Sequence, residues 1–125
     1  DALRAGSERM QSAREIFENE DVLFEFDSAS LSVEAQEILR AKAEWLKDNP
    51  SARVLIEGHC DERGTNEYNL ALGDRRAYSA KAFLTDLGIN DARLSIISYG
   101  EEQPIDSQST EEAWAKNRRA HFVVE

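Results

Sequence analysis

The sequence predicts an α+β domain, a mixed four-stranded sheet with helices packed on one face, in the order β-α-β-α-β-β. Three observations carry this. Short runs rich in β-branched and aromatic residues occur four times, at "DVLFEFD", "ARVLIEG", "LSIISYG" and "RAHFVV". Two longer segments between the first three runs carry apolar residues at helical spacing. The chain has 125 residues, 41% of them hydrophobic, which suits one core and one domain.

Taken in order, residues 1–20 are polar and helix-permissive, with Leu3, Met10, Ile16 and Phe17 their large hydrophobes. They read as a tether or linker, or a frayed helix, ahead of a domain at 21–125. In the first strand Val22, Phe24 and Phe26 alternate with Leu23 and Glu25, one strongly apolar face. Ser30 or Ser32 then offers a helix cap, with Glu34 in the first turn. Ala35, Ile38, Leu39 and Leu46 share one face of that helix, which ends at Asn49-Pro50. The second strand is nearly continuous in apolar residues and so is expected to be central. The next helix starts near Asn66 or Glu67 and runs to Leu87, with Gly88 as its stop. Gly73, Ala77, Ala80, Leu84 and Leu87 form its buried stripe. After the third strand, "EEQPIDSQST" is a polar loop leading to a helical turn from Thr110 through Trp114, and the fourth strand closes the chain.

Composition excludes several functions. A net charge of −10 argues against a diffuse grip on nucleic acid or anionic lipid. An anionic ligand must be held by a few placed cations. No apolar run approaches the roughly 20 residues that span a bilayer. The opening at Asp1, without a signal-peptide pattern, reads as a mature or trimmed soluble piece. A single cysteine, Cys60, makes no internal disulfide.

Chemistry concentrates in "GHCDERGTNEYNLALGDRRA", residues 58–77. Nucleophilic catalysis by Cys60 needs a base within reach. His59, its neighbour on a strand, points to the opposite face. Cys60 is therefore expected to be a small buried filler and His59 a hydrogen-bonded structural histidine. Two histidines and one cysteine without CxxC or HxxxH spacing give no metal set. "GDRRA" lacks the glycine spacing of a phosphate loop. A pocket fits better. Asp61 lies just past a strand's C-terminal end, where ligands of open sheets sit. Arg76 follows 15 positions later, and Asn69 precedes it by seven, about two helical turns, on one face. An acid and an arginine at one mouth suit a zwitterion: the acid takes an ammonium, the arginine forks onto a carboxylate. Spacing alone leaves open that Asp61 and Arg76 merely pair with each other or with solvent.

Four separated motifs, "FEFD" at 24–27, "EGHCDERGTNEYNLALGDRRA" at 57–77, "SYGEEQP" at 98–104 and "KNRRAHFVV" at 116–124, resemble the OmpA-like peptidoglycan-binding domain. Within that family the wording resembles the peptidoglycan-associated lipoprotein group. The resemblance covers about residues 21–125. It implies an OmpA-like sandwich and a non-catalytic module without cofactor or metal. The implied ligand is the peptide stem of peptidoglycan at meso-diaminopimelate. By motif position, Asp61 matches the family's acid for the ammonium and Arg76 its arginine for a carboxylate. Asn69 and Leu72 match the pocket wall, and Thr65 a threonine beside the acid. Phe26 and Asp27 match residues whose backbone borders the ligand. Arg63 and Arg75 are read as rim charges. The resemblance also implies TolB and the Tol–Pal system as partners. It implies a periplasmic position on the outer membrane through an N-terminal lipid anchor absent from these residues. The alternatives are a module whose main ligand is TolB, another wall anchor such as a porin tail or motility stator, and a wall hydrolase or thiol enzyme.

Overall fold

The structure, a computed structural model, describes residues 2–125. Asp1 and the side chains of Ala2, Leu3, Met10 and Gln11 lie outside the described residues. Four strands form one sheet: β1 (Val22–Leu23), β2 (Val54–His59), β3 (Leu94–Gly100) and β4 (Arg119–Val124). Four helices accompany them: α1 (Ala2–Asn19), α2 (Val33–Asp48), α3 (Asn66–Asp86) and α4 (Glu111–Asn117), with a 3-10 turn at Asp91–Arg93. The strand order is β1-β4-β2-β3. β2 and β3 are parallel, joined across α3, while β4 runs antiparallel to both β1 and β2. The last strand of the chain thus fills a central position, and β2 is central as its apolar run predicts.

The helices cover one face. Ile56, Ala120, Phe122 and Val22 of the sheet meet Leu39, Ala43 and Leu46 of α2 and Ala77, Ala80 and Leu84 of α3 in a single core. Ser32 is the N-cap of α2, its hydroxyl accepting from the Ala35 N–H, and Asn49 ends that helix. Gly88 follows α3 with φ +100°, a left-handed position that suits glycine. The predicted helical turn after Thr110 is a seven-residue helix capped by the Thr110 hydroxyl. No helix among the described residues is long and apolar enough to cross a membrane.

Two expectations change. The N-terminal segment, expected as a tether or frayed helix, forms α1, and its last turn joins the core. Phe17 is buried, stacked on Trp45 with ring centroids 4.6 Å apart and edge-on to Phe122. The first strand is shorter than its alternation predicts: β1 has two residues and Phe26 is 58% exposed. The cause is side chains that claim the backbone carbonyls. Phe24 N–H still reaches the Arg118 carbonyl in the β1–β4 register, but the Phe24 carbonyl accepts from Arg118 Nε, and the carbonyls of Glu25 and Ser28 are taken by a side chain from α3. Asp27 then turns the chain at φ 54°.

α3 lies unusually close to β2. A Cβ built on Gly58 would sit 1.7 Å from the Gly73 carbonyl oxygen, and one on Gly73 would sit 2.2 Å from Ser98 Oγ. Only two facing glycines permit this approach. Asn69 and Arg76 stand about one turn to either side of Gly73, so the contact sets how deeply both reach toward the end of β2.

Candidate functional site

A cavity of about 190 Å³ opens at the C-terminal end of β2. Its lining includes Phe26, Asp27, Asp61, Asn69, Leu72 and Arg76, six of the seven residues singled out from sequence. Thr65 stands outside it. Its hydroxyl accepts from the Tyr68 N–H at 3.1 Å and caps α3. Cys60, Arg63, Gly64 and Tyr68 complete the lining.

Arg76 is 1% exposed. Its Nε donates to the Ser28 carbonyl at 2.9 Å, Nη1 to the His59 carbonyl at 3.0 Å and Nη2 to the Glu25 carbonyl at 3.1 Å. One guanidinium therefore ties the loop after β1 to the end of β2. Among the described residues, no carboxylate lies within ion-pairing distance of it; the open alternative of an Asp61–Arg76 pair is not what forms. Burial pulls the guanidinium below its ordinary value, with Cys60 and Asp61 opposing. A buried cation hydrogen-bonded by carbonyls, beside the Phe24 ring at 5.4 Å and with Asp61 acting only at a distance, is incompletely compensated, and a carboxylate in the adjoining cavity would complete it.

Asp61 is also buried. Arg63 grips it with Nη2 to Oδ2 at 2.9 Å and Nε to Oδ1 at 3.2 Å, and the Arg63 backbone N–H adds a bond to Oδ1 at 3.0 Å. Arg118 Nη1 approaches Oδ2 at 3.4 Å. Burial alone would raise this carboxyl, but the Arg63 and Arg118 bonds outweigh it and hold it below the usual carboxylate range. It is an anion at neutral pH.

The rest of the lining fixes shape. Asn69 Nδ2 donates to the Arg63 carbonyl at 3.0 Å and fastens the loop after Asp61 to α3. Leu72 is buried and supplies apolar surface. Tyr68 Oη donates to the Asp27 carboxylate across the mouth, which raises the phenol. Phe26 and Trp114 hold the Arg63 guanidinium between their rings, each centroid 4.1 Å from its carbon. Arg75 stays at the surface, 5.9 Å from the Tyr68 ring.

Cys60 and His59 take the expected structural places. The Cys60 thiol donates to the Asn69 carbonyl at 3.2 Å, and burial pushes it up to about 11. Such a thiol is a poor nucleophile. Both histidines bond carboxylates instead: His59 Nε2 with Glu57 at 3.0 Å and His121 Nδ1 with Asp21 at 2.7 Å. Among the described residues, no cluster of three or more His, Cys, Asp or Glu is placed to hold a metal ion.

Sequence reasoning missed the weight of Arg63, read as a rim charge, and it missed Arg118 and Tyr68 altogether. An acid two residues before an arginine is the available signal for the first: the Asp61 side chain accepts from the Arg63 N–H in a local turn. Arg118 gives no local signal, since it arrives from 57 positions away.

This site and fold define a class of small α+β domain with an acid and a buried arginine at the end of a central strand. The chain belongs to the OmpA family, whose model matches residues 23–118. It is similar to the peptidoglycan-associated lipoprotein of Brucella melitensis biotype 1, 41% identical over 98% of this chain and 74% of that protein. That of Pseudomonas putida is 48% identical over 79% of this chain and 59% of its own length. Among solved structures, the peptidoglycan-associated lipoprotein from Burkholderia pseudomallei superposes with a TM-score of 0.81 at 44% identity, covering 84% of this chain and 89% of that one.

Proposed function

We propose that this domain binds the peptide stem of peptidoglycan non-covalently, at the zwitterionic end of meso-diaminopimelate, and so links the outer membrane to the cell wall. The observation that carries the reading is the pairing, around one cavity, of an ionised Asp61 with a buried Arg76 that lacks a carboxylate partner. Arg76 forks onto the ligand carboxylate. Asp61 accepts the ammonium. Asn69 and Leu72 form the wall, and Phe26 and Asp27 border the mouth. Thr65 contributes indirectly, by starting the helix that carries Asn69 and Arg76. The relatives named for association with peptidoglycan support peptidoglycan as the polymer bound. The module is a binder rather than an enzyme, in keeping with the raised thiol and the carboxylate-bound histidines. In the cell it acts at the periplasmic face of the outer membrane, held there by a lipid anchor upstream, with TolB and the Tol–Pal system as partners.

The test is calorimetric titration with a soluble muropeptide containing meso-diaminopimelate against a matched one containing lysine, which lacks the side-chain carboxylate. Binding confined to the diaminopimelate form is expected. Equal binding removes the role given to Arg76, and binding of neither form removes the ligand. Pulldown of TolB with and without added muropeptide tests the partner. Competition is expected if TolB covers the cavity mouth, and simultaneous binding moves TolB elsewhere.

A further inference from the structure

We propose that Arg63 occupies, in the unliganded domain, the seat on Asp61 that a ligand ammonium takes, and is displaced when the ligand enters. This rests on the reading of the cavity given above. A carboxylate offers about four lone-pair directions. On Asp61 four donors fill them: the Arg63 N–H and Nε on Oδ1, and Arg63 Nη2 and Arg118 Nη1 on Oδ2. An ammonium finds no acceptor there until a donor leaves.

The surroundings decide which donor that is. Arg118 is 6% exposed and is anchored twice more, to the Phe24 carbonyl at 2.9 Å and to Glu111 at 3.1 Å. Moving it strands buried groups. The Arg63 N–H belongs to the backbone turn and stays. The Arg63 guanidinium is different. Its side chain is 33% exposed, and its other contacts are the faces of Phe26 and Trp114. Ring faces guide a guanidinium without fixing it by hydrogen bonds, and water at the mouth satisfies whatever N–H groups leave Asp61. Trp114 is itself pinned to the loop, its Nε1 donating to Glu62 at 3.1 Å, so it stays while Arg63 moves.

Arg63 is thus a specificity-determining residue. A hydroxyl or a neutral amide cannot replace a bidentate guanidinium on a carboxylate, whereas an ammonium can. The placeholder costs affinity and keeps Asp61 satisfied when the cavity is empty, which an unpaired buried carboxylate would not be.

The chain has two tryptophans, Trp45 and Trp114. Trp45 stacks on Phe17 in the core, so Trp45→Phe leaves Trp114 as the sole indole reporter beside Arg63. The Trp45→Phe protein and its Arg63→Met derivative are titrated with the meso-diaminopimelate muropeptide, following heat and Trp114 emission. In the parent, emission is expected to change and to saturate with the calorimetric Kd. In the Arg63→Met protein that change is expected to vanish while affinity rises about three- to tenfold, because solvent screens a guanidinium one-third exposed and reduces what its two bonds to Asp61 are worth. Unchanged or weaker affinity after Arg63→Met overturns the inference, because Arg63 then helps to hold the ligand. Heat of binding without any emission change in the parent also overturns it, because Arg63 then stays in place. Absence of heat in the parent defeats the reading of the cavity itself and is seen before any Arg63 variant is made.

Discussion

Arg76 serves two ends with one group, and the two separate by substitution. Its three carbonyl partners belong to Glu25, Ser28 and His59, so it ties the loop after β1 to the end of β2 without a ligand. Arg76→Lys keeps the positive charge but offers no planar fork, and an ammonium cannot reach carbonyls spread around a guanidinium. The expected stability loss is about 2–4 kcal/mol, since each buried acceptor left unpaired costs on the order of 1–3. Urea unfolding measures it; a loss under about 0.5 kcal/mol would mean the carbonyls find other donors. At this scale the sequence is informative about residues whose roles follow from type and helical spacing. Asn69, Leu72 and Arg76 lie on one face of α3, and that face lines the cavity. It says less where an irregular turn decides. Arg63 folds back onto Asp61 in a loop that Gly64 reverses at φ +96°; the acid two residues before the arginine marks the turn, but no periodicity encodes where the guanidinium goes.

The placement of α3 on β2 determines how those residues meet. Gly58 and Gly73 face each other with no room for a methyl group between helix and strand. Gly58→Ala forces backbone against backbone, and about 3 kcal/mol or more of destabilisation is expected, at the upper end for overpacked sites. Arg76 and Asn69 ride on the displaced helix, so ligand affinity is expected to fall in any fraction that stays folded. Thermal unfolding and muropeptide titration of Gly58→Ala check both, and near-native stability would show that α3 can retreat without cost. Elements buried on one face were legible because their patterns are regular. β3 and β4 have the bounds that "LSIISYG" and "RAHFVV" suggest, and Thr65 and Thr110 cap the helices that follow them. β1 was not, because its alternation continues through Phe26 while Arg76, distant in sequence, claims the backbone carbonyls a longer ladder would use. α1 hid its docking for a similar reason: one buried phenylalanine in a polar helix is too sparse a pattern to announce a core contact.

That docking puts an ionisable group inside the whole molecule's core. Lys42 on α2 is 3% exposed. Its ammonium donates to the Phe17 carbonyl near the end of α1 and lies 4.5 Å from the Phe17 ring centroid and 4.3 Å from that of Phe122. Helix C-terminal carbonyls and ring faces both favour a cation, and Asp21, Glu20 and Glu18 add negative charge nearby. Burial still wins and lowers Lys42 from 10.5 to about 8. The sign for stability follows. Between about 8 and 10.5 the unfolded chain keeps a proton that the folded chain has released, so raising the pH through that window favours folding. Below it, the folded protein carries a buried charge at a cost on the order of 3 kcal/mol. Lys42→Met removes the group and fills the same space. Its stability is expected to exceed that of the wild type at pH 7, and the gap to close as the pH approaches 10. Taking the difference between the two proteins cancels the other groups of an acidic chain that titrate over the same range. Urea unfolding of both at pH 7, 8, 9 and 10 measures it. A gap that stays constant across those values would show that Lys42 keeps its ordinary affinity for the proton.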